Sequence, residues 1–193
     1  MSNVDLGLLL EQSGAILRGH FVLTSGRHSD VYFEKFRVLE RPEVLSALAA
    51  QIAAHFRQTG VEVVAGPTTG GIIIAFEVAR QLGIPALYVE SENGVKKLRR
   101  GATVRPGARV LVVDDVLTTG KSVFEVIEVL REARGVPIGV GVLIDRAEIQ
   151  PEFGCPMFAA FKVSASTFSA DQVPEWLANQ PVIKPGTRPQ TSA

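Results

Sequence analysis

The sequence predicts an α/β fold, a central and mostly parallel sheet flanked by helices, and three observations carry that prediction. Short apolar, β-branched runs alternate with longer segments whose apolar residues recur at helical spacing. Residues 110–113 are four consecutive apolar residues, as in a strand covered on both faces. No internal repeat interrupts the βαβα order. At 193 residues the chain suits one domain, expected over residues 1–180 with a proline-containing tail at 181–193, and a chain this long buries around 70% of its unfolded surface.

Taken in order, residues 4–17 are apolar-rich and read as a first helix. Pro42 stands near the first turn of a second helix that runs to about Gln58, and Gly60 stops it. Residues 61–65 read as a buried strand, 70–82 as helix, and 86–89 as a short strand after Gly83 and Pro85. Residues 110–113 form the next strand, and Val123, Val126, Ile127 and Leu130 then mark a helix by their spacing. Residues 137–145 and 157–163 read as the last strands, the first a long β-branched run. Residues 180–193 carry three prolines and little apolar content, which gives weak grounds for order.

Composition narrows the function classes. Twenty basic and twenty acidic residues cancel, so no overall field favours nucleic acid or an anionic membrane. The single cysteine, Cys155, leaves no intrachain disulfide framework and reads as a small apolar residue near a turn. The amino terminus carries Asp5 and Glu11 and no basic n-region, and no apolar run approaches the length of a membrane span, so a cytoplasmic protein is expected. His20, His28 and His55 have no ligand spacing, and no protein-built metal site is expected.

Chemistry concentrates between Arg109 and Ser122, R-V-L-V-V-D-D-V-L-T-T-G-K-S. Asp114 and Asp115 fall at the carboxyl end of a strand, where open α/β sheets bind ligands. Thr118, Thr119, Gly120, Lys121 and Ser122 then open a helix whose unpaired N–H groups attract phosphate, reinforced by hydroxyls and an ammonium. Carboxylates accept hydrogen bonds from vicinal hydroxyls, so phosphate at one end and diol at the other describe a ribose 5-phosphate. Gly120-Lys121-Ser122 imitates the end of a Walker A loop, but the upstream glycine is missing. A second turn, A-G-P-T-T-G-G-I, follows the strand at 61–65. Glycine there serves either the bare geometry of the turn or the approach of a ligand to the backbone.

The stretch V-L-V-V-D-D-V-L-T-T-G-K-S resembles the phosphoribosyl pyrophosphate signature of the type I phosphoribosyltransferases. G-H-F-V-L-T-S-G-R-H-S-D-V-Y-F (19–33), G-V-L-I-D-R (141–146) and the tail P-V-I-K-P-G-T-R are similar to segments of the orotate-specific members. The resemblance implies the type I phosphoribosyltransferase fold, with a small hood and a flexible loop, and transfer of phosphoribosyl to orotate with Mg2+ brought mainly by the pyrophosphate substrate. It also implies a homodimer that shares the loop between subunits, with no nucleic-acid or membrane partner. In its terms Asp114 and Asp115 are catalytic and, with Val116, Leu117 and Thr118 to Ser122, bind phosphoribosyl pyrophosphate. Thr69 and Gly70 contact the pyrophosphate, and Lys96, Lys97, Arg99 and Arg100 stand where related enzymes carry a basic hood, although the usual order of that hood is absent. Residues 89–103 otherwise read as a mobile, solvated charge run.

For orotate the resemblance assigns Thr118, Arg146, Tyr32 and Phe33. Arg146 suits a carboxylate or ring carbonyl, or else an ion pair with Asp145 or Glu148. Tyr32 and Phe33 either pack against the base or fill the core. Well-known members have lysines where this chain has Thr24 and Gly70, and Arg27 is a candidate to replace the missing charge. Two alternatives share the signature. A transferase for another base is expected to lack the 19–33 segment, and a regulator that senses phosphoribosyl pyrophosphate is expected to add a DNA-binding module.

Overall fold

Two sheets divide the molecule. The computed structural model describes residues 5–23, 25–92, 94–163 and 165–185. The chain opens with helix α1 (Leu6–Gln12), capped by the Asp5 carboxylate on the Leu8 amide. It ends earlier than the expected helix over 4–17, because Gly14 takes a left-handed φ of 74° and the Ala15 amide returns to the Leu10 carbonyl. Ile16 and Leu17 therefore begin strand β1 (Ile16–Val22), which pairs antiparallel with β2 (His28–Phe33).

Helix α2 (Lys35–Leu39) leads into α3 (Pro42–Phe56), which has Pro at its first turn as expected and buries Leu45, Leu48, Ile52 and Phe56. Strand β3 (Val63–Pro67) starts two residues later than expected. Glu62 is exposed and turned outward to Arg105 and the Arg109 amide. Helix α4 (Gly70–Leu82) follows, then β4 (Ala86–Glu92) and β5 (Val95–Lys97). The signature strand β6 (Arg109–Leu117) extends well beyond 110–113 and leads to α5 (Lys121–Glu132). Strands β7 (Val136–Asp145), β8 (Met157–Lys162) and β9 (Thr167–Phe168), helix α6 (Glu175–Ala178) and strand β10 (Val182–Ile183) complete the described chain.

The larger sheet has the order β5-β4-β3-β6-β7-β8, parallel except for the β4–β5 hairpin at its edge. Helices cover both faces, so β6 and β7 are buried throughout most of their length, which is why they read as unbroken apolar runs. The smaller sheet, β10-β1-β2-β9, stands over the carboxyl ends of the large one and forms a hood. Its outer strands come from far along the chain: His20 pairs with Val182, and His28 with Phe168. Tail residues 182–183 are thus strand, and residues 186–193 lie outside the described ones. Within the hood the rings of His20 and His28 meet, Nε2 to Nδ1 at 2.5 Å.

Candidate active site

Strand β6 delivers two adjacent carboxylates to the cleft between sheet and hood. Asp114 is only 8% exposed, and its Oδ1 accepts from the Asp115 amide at 2.8 Å. Burial and then the neighbouring Asp115 charge push its carboxyl up to about 6, against the pull of hydrogen bonds from the Asp115 amide and the Ser122 hydroxyl and of the Lys35 charge. Asp115 accepts from the Val116 amide at 2.7 Å and, through Oδ2, from Lys35 Nζ at 2.8 Å.

The start of α5 is built to receive an anion. Gly120 has a φ of 76°, and a Cβ there would stand 2.9 Å from Phe153 Cζ, so both backbone and space require glycine. Gly120 has no side chain to cap the helix, and the Thr119 hydroxyl accepts weakly from the Lys121 amide at 3.4 Å; Thr118 and Thr119 are exposed, and the Lys121 ammonium lies 3.9 Å from Glu125. Helix α5 is anchored from behind by Val123, Val126, Ile127 and Leu130, as its sequence spacing predicts. The α5 start, with two exposed hydroxyls and the Lys121 ammonium, stands at the positive end of a helix dipole, an arrangement that attracts an anion.

Beside this cradle lies a cavity of about 330 Å³. Val22, Leu23 and Ser25 of the hood turn and Tyr32 of β2 close one side, while Thr118, Arg146 and Glu148 from the large sheet, with Thr167 and Pro185, close the other. The Arg146 amide donates to the Leu117 carbonyl at 2.9 Å, which fixes the residue next to Thr118. Among the described residues Arg146 Nε is buried without a hydrogen-bond partner. Desolvation pulls its guanidinium below the ordinary value, with a smaller opposing effect of Tyr32. The neighbouring acids are engaged elsewhere: Asp145 accepts from the Ala147 amide and Gln150, and Glu148 from the Thr167 hydroxyl. The side chain as a whole is half-buried and lines the cavity, so an anion entering there would compensate a partly desolvated cation.

Strand alternation separates Tyr32 from Phe33. Tyr32 lines the cavity, whereas Phe33 points to the opposite face, 6% exposed in the core with Leu10, Val31 and Val38. Phe33 is therefore a core residue, and the expectation that it touches the base is corrected. Leu117 is likewise buried and Val116 packs on the core, so backbone is what either residue could offer a ligand.

The second turn, between β3 and α4, brings Thr69 and Gly70 to the same end of the sheet. A Cβ on Gly70 would fall 2.6 Å from Asp115 Oδ2, so this glycine makes room for the carboxylate. The basic segment beyond it differs from the expected mobile loop, because β4 and β5 pair as a hairpin: Glu90 with Lys97, Ser91 with Lys96, Glu92 with Val95. Arg99 lies 3.3 Å from Glu92 and 3.6 Å from Glu90, and Arg100 Nε 2.6 Å from Glu90. Lys96 lines a depression beside Glu125, Glu128 and Glu132 of α5, and Lys97 is exposed. None of these four cations reaches Asp115 within the chain. Arg27 donates to the Thr167 hydroxyl and carbonyl and braces the hood, and Thr24 lies outside the described residues.

Sequence reasoning missed Lys35, the cation on Asp115, and the cavity residues Glu148, Thr167 and Pro185. Glu34 and Lys35 follow the Tyr-Phe pair directly, but nothing periodic marks them.

Comparison with known proteins finds relatives along nearly the whole chain. The family model for the phosphoribosyl transferase domain matches residues 37–152. The orotate phosphoribosyltransferase of Desulforamulus reducens is 44% identical over 97% of this chain and 98% of its own length, and that of Pelotomaculum thermopropionicum is 43% identical over 97% and 99%. Among solved structures, the orotate phosphoribosyltransferase of Aeropyrum pernix superposes with a TM-score of 0.69 at 34% identity, covering 82% of this chain and 93% of that one.

Proposed function

The chain belongs to the orotate phosphoribosyltransferase family within the phosphoribosyl transferases, and from that premise we propose how its residues carry the reaction. The enzyme transfers phosphoribosyl from 5-phosphoribosyl 1-pyrophosphate to N1 of orotate, giving orotidine 5′-monophosphate and pyrophosphate, a step of pyrimidine biosynthesis. N1 gives up its proton to solvent or to the departing pyrophosphate as its electron pair forms the new bond to the anomeric carbon, and the electrons of the broken C–O bond leave with pyrophosphate. Positive charge grows on the sugar, as in glycoside cleavage, so no side-chain nucleophile is required.

In this reading the α5 start, from Thr118 to Ser122, takes the 5-phosphate. Asp114 and Asp115 hold the ribose hydroxyls and face the developing positive charge. Tyr32, Thr118 and Arg146 hold orotate, whose carboxylate supplies the anion that Arg146 lacks. That unpartnered, buried Nε is the observation that carries the base assignment. It disfavours the other-base alternative, because a neutral purine or uracil ring leaves the cation uncompensated.

Mg2+ fits as a companion of the substrate. A hard cation held by phosphate oxygens needs few protein ligands. When bound, it neutralises charge on the departing pyrophosphate. A homodimer is part of the same proposal, supported by the exposed apolar side chains of Phe36, Ile73 and Phe76 beside the pyrophosphate turn. So is a single domain through residue 180, its tail tied back by β10, and a cytoplasmic location. Phosphorylated ribose does not cross membranes, and no described helix is long and apolar enough to span one.

The test is an absorbance assay of orotate consumption with phosphoribosyl pyrophosphate, with and without Mg2+, and with adenine, guanine and uracil as competing bases. Orotate-specific, Mg2+-stimulated turnover is expected. Turnover of another base in place of orotate overturns the proposal.

A further inference from the structure

Lys35 is the first residue of α2, whose Glu34 carboxylate caps the Phe36 amide, so the short helix holds the lysine over the β3–α4 turn. Behind it Phe36 and Leu39 line a groove with Thr69, Gly70 and Ile73. Lys35 Nζ bonds the same carboxylate oxygen, Asp115 Oδ2, that a side chain on Gly70 would strike. The missing side chain at Gly70 and the presence of Lys35 thus concern one small volume, at the edge of the site where Thr69 and Gly70 offer backbone.

Three features separate this contact from an ordinary structural ion pair. The lysine side chain is 44% exposed, so the pair contributes little to folding by itself. An ammonium has three donors and only one is used, leaving two directed away from the carboxylate. The other cations named for the pyrophosphate are held by Glu90 and Glu92 or lie beside α5, so among the described residues Lys35 is the cation already at the Asp115 end of the turn. Burial pulls its ammonium down, but the hydrogen bond to Asp115 and the charges of Asp115, Asp114 and Glu34 outweigh that and raise it above the usual value, so it is charged throughout neutral pH.

We infer that Lys35 is the pyrophosphate-side cation of this enzyme, binding the diphosphate group of the substrate from across the turn in the place that Gly70 leaves without a side chain. The inference rests on the phosphoribosyl-transfer reading above. In the free enzyme Lys35 neutralises Asp115; when the ribose hydroxyls take up Asp115, the ammonium turns its free donors to the diphosphate.

Inorganic pyrophosphate with Mg2+ is the probe. For Lys35→Met, which keeps the stem and removes the charge, the dissociation constant for pyrophosphate and KM for phosphoribosyl pyrophosphate are expected to rise roughly 10- to 100-fold, the scale of one charge-assisted hydrogen bond. KM for orotate should stay within about twofold, and Lys35→Arg should retain most of the affinity. Unchanged pyrophosphate binding in Lys35→Met, or equal weakening of pyrophosphate and orotate, overturns the assignment. Amine acetylation of the unaltered enzyme gives a readout independent of any variant. Pyrophosphate should slow labelling of Lys35 while orotate does not, and labelling indifferent to pyrophosphate again overturns it. Either failure alongside orotate turnover by the unaltered enzyme removes only the role of Lys35. An unaltered enzyme that consumes no orotate removes the reaction itself.

Discussion

The two halves of the cleft differ in what their charges are doing before any ligand arrives. On the sugar and base side, the exposed Thr118 and Thr119 hydroxyls stand at the start of α5, and Arg146 Nε is buried with no hydrogen-bond partner among the described residues. On the pyrophosphate side every well-placed cation already has a carboxylate: Lys35 has Asp115, Arg99 has Glu90 and Glu92, and Arg100 has Glu90. The first half is preorganised and gains its full interaction when the ligand enters. The second must exchange one anion for another, so binding there is weaker per contact and adjustable.

The largest effect that separates the halves is expected at their junction. Asp115→Asn removes the carboxylate that serves both the sugar and Lys35, and turnover should fall by about 100- to 1000-fold with the fold intact, as judged by circular dichroism. Near-normal turnover would detach Asp115 from the reaction.

Asp114 sharpens the comparison through pH. Its folded value, about 6, is raised above the ordinary 3.8, so the folded chain holds this proton more tightly than the unfolded one. Stability is therefore lost as pH rises from the unfolded value through about 6. Asp114→Asn should be more stable than the parent by on the order of 2 kcal/mol at pH 8, an advantage that vanishes below pH ~4. Urea unfolding at both pH values measures it. Because the ionised carboxylate faces the positive charge, kcat/KM for phosphoribosyl pyrophosphate should rise with pH through about 6, and a flat profile from pH 5 to 8 contradicts this role.

The smallest effect is on the committed arginines. Glu90→Gln releases Arg100 and loosens Arg99, and KM for phosphoribosyl pyrophosphate should fall roughly two- to fourfold, the scale of an exposed ion pair. A rise in KM instead would mean that Glu90 positions these arginines for the ligand.

How much of this was legible in the sequence depended on how local the causes were. The strand-turn-helix from Val110 to Leu130 was readable because burial on both faces and helical spacing are written in consecutive residues. The hood was not. Its sheet is closed by Val182 on His20 and Phe168 on His28, pairings between residues far apart in the chain, and its first strand was hidden because Ile16 and Leu17 continue the apolar pattern of α1 beyond Gly14. The strand at 86–89 was readable, but its continuation to Glu92 and its pairing with β5 were missed because those residues are mostly polar and lie at a sheet edge. Within the site, Asp114, Asp115 and the phosphate cradle follow from residue type and order. That Tyr32 lines the cavity and Phe33 does not follows only once the register of β2 is known. Lys35 meets Asp115 across 80 positions of sequence, where no periodicity points.

The claim that the preorganised half reads the base is tested most directly by steady-state kinetics of Arg146→Ala with both substrates varied. KM for orotate should rise roughly 10- to 100-fold while KM for phosphoribosyl pyrophosphate moves less than about threefold. Stability should not fall, since a half-buried cation whose Nε has no partner among the described residues is removed. Equal increases in the two Michaelis constants would contradict the assignment of Arg146 to orotate and, with it, the division of the cleft into two halves.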